Sequence, residues 1–208
     1  MGASRGRIRL PHQTAPRRIC VFCGSQMGVA PEYRIAASAV ATEIVRRGMG
    51  VVFGGGSVGL MGVLADRVLE AGGEIIGVIP EALATKELLH PRVSEMRRVA
   101  DMHERKALMA ELAGAFVALP GGYGTLEELL EVVTWAQLGF HRKNIGLLNV
   151  AGYFDPLVAL IEHAIGEGFI TPLHRELFVV ESEPARLLDR LATHEMPHVK
   201  RWLERDEI

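Results

Sequence analysis

The chain has 208 residues, 49% of them hydrophobic and 23% charged, with a formal net charge of -2. These values fit one globular domain, since single cores grow to roughly 250 residues. They exclude a nucleic-acid partner, which calls for a strong basic excess, and leave a small molecule as the expected ligand.

Residues 1–17 read as a flexible basic tail ahead of a single domain over residues 18–208. Met1 to Arg18 hold five arginines and two prolines but few large apolar side chains. The apolar stretch of a secretory signal is missing there, and Gly6 stands where a myristoylation site needs Ser or Thr. No apolar run is long enough to span a bilayer, so the expected location is the cytoplasm, with no membrane partner. Ile19–Cys23 then reads as a strand carrying Cys20 and Cys23. Three residues apart on a strand, the two sulfurs point to opposite faces, which predicts buried inert thiols in place of a redox or metal pair.

A helical pattern over Pro31–Arg47 leads to a strand at Gly50–Phe53 and a glycine loop, Gly54 to Gly62. The loop satisfies G-x-G-x-x-G through Gly54, Gly56 and Gly59, the dinucleotide fingerprint. That fingerprint also requires an acid ending the next strand, and Glu74 instead precedes the strand Ile75–Ile79. Either a plain strand-to-helix turn or the wall of a smaller nucleotide's pocket remains, and amides at a helix start suit the pocket. Gly55 and Gly56 are therefore candidate substrate-binding residues.

After the helix Leu60–Ala71 comes one over Asp101–Leu112, where Asp101 and Glu104 can form a capping box. At about 100° per residue, Met102, Leu108, Met109 and Leu112 fall within roughly 60° of Arg105. Arg105 thus lies on the inward face and needs a partner: a core-facing carboxylate such as Glu128 or Glu131, or a ligand in a cleft. Lys106 on the flank can reach the same opening.

The strand Ala115–Leu119 runs into Pro120-Gly121-Gly122-Tyr123-Gly124-Thr125, with a helix expected over Leu126–Leu138. Glycines with positive φ followed by a helix start make a phosphate nest. Because the P-loop lysine is missing, a monophosphate fits better than a triphosphate. Thr125 and Glu128 also spell a capping box, a role partly compatible with facing a ligand. The nearly all-round apolar helix that follows suits a subunit interface. Strands at Ile145–Val150 and Leu177–Val180 and helices at Pro156–Gly166 and Pro184–His194 complete the pattern. Apolar strands alternating with helices predict an α/β fold, a doubly wound, Rossmann-like parallel sheet with helices on both faces. The H-E-x-x-H at His194–His198 is interrupted by Pro197 and is not read as a zinc site.

At Met102–Lys106 and Pro120–Glu128 the chain resembles the LONELY GUY family of cytokinin riboside 5′-monophosphate phosphoribohydrolases, some of which carry a lysine decarboxylase label. The similarity extends through Phe22–Ser25, Gly54–Gly62, Thr134–Gly139 and Gly146–Val150, and implies Gly24 and Ser25 as further substrate-binding residues. It implies hydrolysis of the N-glycosidic bond of a nucleoside 5′-monophosphate, with no metal or organic cofactor. By position it implies Arg105 and Glu128 as the catalytic pair and Glu87, Lys106, Gly121, Gly122, Gly124, Thr125 and Thr134 as substrate-binding residues, with Glu81 an alternative to Glu87. It also implies a homodimer or an assembly of dimers. A non-catalytic carrier of molybdenum cofactor or another phosphorylated metabolite stands as the alternative.

Overall fold

A computed structural model describes residues 17–84 and 89–199. The expected tail, Arg17 apart, and Glu87 lie outside the described residues. The order of elements is β1 (Arg18–Phe22), α1 (Pro31–Arg46), β2 (Gly50–Phe53), α2 (Gly59–Glu70), β3 (Ile75–Pro80), β4 (Glu95–Val99) and α3 (Met102–Leu112). There follow β5 (Ala115–Ala118), α4 (Tyr123–Gln137), β6 (Ile145–Leu148), α5 (Asp155–Gly166), β7 (Val179–Glu181) and α6 (Pro184–Thr193).

The seven strands form one parallel sheet in the order β4-β3-β2-β1-β5-β6-β7. The chain winds outward from β1 to β4, then crosses to β5 on the other side of β1. Such a reversal opens a crevice beyond the carboxyl ends of β1 and β5, where doubly wound sheets bind ligands.

Strands β1, β2, β3, β5 and β6 are β-branched and aliphatic runs, buried on both faces between two helical layers. On one face Ile44, Leu64 and Leu187 pack over Val21 and Phe53; on the other Met109, Leu129 and Phe154 pack over Cys20 and Phe116. Fully burying each such side chain contributes about 1.5–3 kcal/mol. Cys20 and Cys23 are free, buried and in opposite layers.

The residue pattern does not announce β4. Its Glu95, Arg97 and Arg98 are exposed at the sheet edge, Arg97 on Glu95 and Arg98 on Glu81. An edge strand needs charge against further pairing more than an apolar run. Two ends also differ from expectation: β6 stops at Leu148, ahead of a 3₁₀ turn at Val150–Gly152, and Leu177 closes a 3₁₀ segment before β7. Glu74 accepts two hydrogen bonds from Arg18 at the amino ends of the strands, away from any ligand crevice. Residues 194–198 follow α6 without helical structure. Among the described residues, no helix is long and apolar enough to cross a membrane.

Candidate active site

Three turns meet beyond the carboxyl ends of β1, β2 and β5. Gly24 joins them, its N–H donating to the Pro120 carbonyl at 3.1 Å and its own carbonyl accepting from Leu60 N at 3.0 Å. A side chain at Gly24 would stand 3.0 Å from the Gln26 carbonyl oxygen and 3.2 Å from Gly121 Cα. Gly59 sits at φ +60, and a Cβ there would come 2.3 Å from the Ser25 carbonyl carbon, so this turn requires glycine.

Helix α4 begins at Tyr123 with Gly122 as its N-cap, three residues before the expected start. Thr125 is therefore inside the first turn, and the Thr125–Glu128 capping box does not form. The glycines of this turn also lack positive φ, which falls instead at Gly55 and Gly59. Glycine is needed at 121 for closeness, since a Cβ would lie 2.1 Å from Thr125 Oγ1 and 2.8 Å from Gly24 N. At Gly122 and Gly124 a Cβ would meet nothing within 4 Å. Those two positions face open space, and the first-turn amides of α4 have no intrahelical acceptor. The helix has no acidic residue in its first turn to satisfy them. An anion fits that seat.

Beside the seat, Arg105 Nη2 lies 3.1 Å from Glu128 Oε1, with the side chains only 13% and 10% exposed. Asp101 caps α3 through the His103 and Glu104 amides, while the Glu104 carboxylate reaches the Ala100 N–H. This fixes the helix turn that aims Arg105 inward. Burial pushes the Glu128 carboxyl up to about 7, and the Arg105 charge opposes that rise without cancelling it. Among the described residues Arg105 Nε is buried without a hydrogen-bond partner. A carboxyl that titrates near neutrality can exchange a proton with a reacting group.

The pair lines a cavity of ≈ 220 Å³ together with Ser25, Gly122, Gly124 and Thr125. Gly24, Gly55, Gly56, Gly121, Lys106 and Thr134 do not line it. Gly55 and Gly56 contact residues 89–90 instead, Gly55 through its carbonyl and His90 N. Lys106 Nζ bridges Glu127 at 2.5 Å and Glu131 at 3.0 Å. Burial lowers the affinity of that amine for its proton, but the two carboxylates outweigh it and hold the ammonium above its usual range. Thr134 is exposed, donates to the Leu130 carbonyl, and lines a separate open trough on the outer face of α4 with Leu126, Leu130 and Trp135.

Gly54, Met61 and Met102 also line the cavity, though sequence reasoning did not name them as ligand-binding residues. Met102 Sδ is 3.7 Å from Arg105 Nη1. A Cβ at Gly54 would lie 2.2 Å from Arg105 Nη2, so only glycine lets the guanidinium reach Glu128. Gly54→Ala is expected to displace Arg105, a flexible side chain that can give way, and to lower turnover at least about tenfold with the fold intact. Initial rates alongside a melting curve check this; wild-type rates would show that the Arg105 position is unimportant.

A family described as "possible lysine decarboxylase" matches residues 61–191. A probable cytokinin riboside 5′-monophosphate phosphoribohydrolase of Oryza sativa subsp. japonica is 53% identical over 180 residues, 86% of this chain and 79% of that one. A cytokinin riboside 5′-monophosphate phosphoribohydrolase of Arabidopsis thaliana is 51% identical over 179 residues, 86% and 82% of the two chains. Among solved structures, the molybdenum cofactor carrier protein of Chlamydomonas reinhardtii matches with a TM-score of 0.65 at 20% identity, covering 85% of this chain and 96% of that one. The molybdenum cofactor binding protein of Rippkaea orientalis gives 0.65 at 19%, covering 90% and 98%. At those identities the likeness is one of fold.

Proposed function

Because the chain belongs to the family of cytokinin riboside 5′-monophosphate phosphoribohydrolases, we propose that it hydrolyses the N-glycosidic bond of N6-modified adenine riboside 5′-monophosphates, and of AMP. The observation that carries this reading is the buried Arg105–Glu128 pair beside an open helix start. The 5′-phosphate sits on the amides of Gly122–Thr125, which fixes the ribose so that C1′ faces Glu128. Binding energy gathered at the phosphate then supports chemistry at the sugar.

Breaking the bond develops positive charge on C1′ and the ring oxygen. The ionised Glu128 stabilises that charge and takes a proton from the attacking water. The water oxygen bonds to C1′, the bond to the base nitrogen breaks, and that nitrogen takes up a proton. Free base and ribose 5-phosphate result. Arg105 opposes the burial of Glu128 and so keeps an ionised fraction at neutral pH.

In this reading Ser25 and Thr125 contact the ligand directly, while Gly24, Gly55, Gly56 and Gly121 shape the turns behind them. Lys106 clamps α3 to α4 through Glu127 and Glu131. Thr134 and the exposed Leu130 and Tyr123 on α4 suit contact with a second copy, so the assembly proposed is a homodimer. Sedimentation at the mass of one chain would end that part. Two free, buried thiols suit a reducing compartment, and the cytoplasm is the location proposed.

The test is purified protein with AMP and N6-isopentenyl-AMP, scored for free base by chromatography. Base from either supports the reading, and no base from both ends it. Tight binding without turnover would favour the carrier, whose fold this chain shares. Decarboxylation through a Schiff base needs a neutral amine, whereas Lys106 is held charged by two carboxylates.

A further inference from the structure

The turn after β6 is pinned by a side chain of its own. Asn149 accepts from Phe154 N and donates to Asp155 Oδ1, both at 2.7 Å. Between them Ala151 and Gly152 take φ values of 50 and 72, a left-handed conformation that alanine adopts only under constraint. The turn presents Tyr153 edge-on to Phe154 and Tyr33, with ring centroids 5.1 and 6.0 Å away. Its hydroxyl, 32 residues downstream in sequence, donates to the Gly121 carbonyl.

We propose that Tyr153 is a positioning residue that locks the Gly121–Gly122 peptide so that its N–H faces the anion seat. The inference rests on the nucleotide reading above. In a trans peptide the carbonyl and the N–H point to opposite sides. With the Gly121 carbonyl drawn toward Tyr153, the Gly122 N–H is turned the other way, and Gly122 lines the cavity whereas Gly121 does not.

A peptide between two glycines rotates more freely than any other, because neither neighbour has a Cβ to resist. Rotated by half a turn, it would aim a carbonyl dipole at the phosphate in place of an N–H. The hydroxyl removes that alternative before the ligand arrives, and preorganised donors bind without a reordering cost. Fixing α4 alone does not achieve this, since Gly122 precedes the first residue of the helix.

Tyr153→Phe keeps the ring contacts and deletes only the hydroxyl. Its dissociation constant for ribose 5-phosphate, measured by calorimetry, is expected to rise roughly three- to tenfold, the worth of one hydrogen bond. The KM for AMP should rise by a similar factor, with kcat changed by less than about twofold and hydrolysis or binding of adenosine, which lacks the phosphate, unchanged. An unaltered affinity for ribose 5-phosphate overturns the proposal, as does an equal loss for adenosine, which would mark general disruption. If the wild type releases no base, the hydrolase reading fails, and the ribose 5-phosphate comparison still decides the role of Tyr153. A wild type that binds no ribose 5-phosphate overturns both.

Discussion

In a Glu128→Gln protein, base release from AMP is expected to fall by about 10²–10⁴-fold, the usual worth of a positioned acid–base group. The amide keeps the shape of the carboxylate and can still hydrogen-bond Arg105, but it cannot accept a proton or stabilise a cation at C1′. The Glu128 carboxyl stands near 7 because burial outweighs the neighbouring guanidinium, so the wild-type kcat/KM should climb about tenfold per pH unit below 7 and level off above it. A substrate phosphate ionises near pH 6 and adds a limb of its own. That limb should survive in Glu128→Gln while the one near 7 disappears.

The same shift has a consequence for stability. The Glu128 carboxyl is raised from 4.5 to about 7 on folding, so between those values the folded chain holds a proton that the unfolded chain has released. Stability from this group therefore declines as pH rises through that window and is flat above it. Melting temperatures of wild type and variant at pH 5 and pH 8 should differ in this slope. Identical slopes would mean Glu128 is not desolvated.

Replacing Arg105 has the second large effect. In Arg105→Met the carboxyl of Glu128 loses the guanidinium paired with it, only the weaker pull of Lys106 is left to oppose burial, and its titration moves above 7. At pH 7 the carboxylate that steadies the reacting sugar and activates the water becomes scarce. Turnover at pH 7 should drop about 10²–10³-fold, the scale seen when one preorganised electrostatic group is removed. The residual activity should recover toward alkaline pH. The fold should survive, since Glu128 can neutralise by keeping its proton instead of standing as an unpaired buried charge. An unchanged pH limb would show that the two groups are not coupled.

The buried sheet was readable because β2, β3 and β5 are short aliphatic runs between helical periods, and the α/β class follows from that alternation. Strand β4 was not, since Glu95-Met96-Arg97-Arg98 looks like a polar loop until β3 supplies its partner. The inward Arg105 could be found from a spacing of 100° per residue, because a helix repeats locally. Whether its partner was Glu128 or Glu131 could not, as that depends on how α3 meets α4; Glu131 goes to Lys106 instead.

The glycine turns misled in detail. Positive φ was expected at the turn before α4 and occurs in the turn after β2, at Gly55 and Gly59. Composition tells that a turn is tight, and only the neighbours tell why. The needs at Gly121 and Gly54 come from Thr125 and from Arg105, the latter 51 residues away. Tyr153 was invisible for the same reason, its contact with Gly121 existing only once β5 and β6 lie side by side.

The most direct measurement is a crystal structure of Glu128→Gln with AMP bound. The phosphate should rest on the amides of Gly122–Thr125, with C1′ facing residue 128 and the Arg105 guanidinium alongside. A phosphate seated elsewhere, or a ribose turned away from residue 128, would contradict the account.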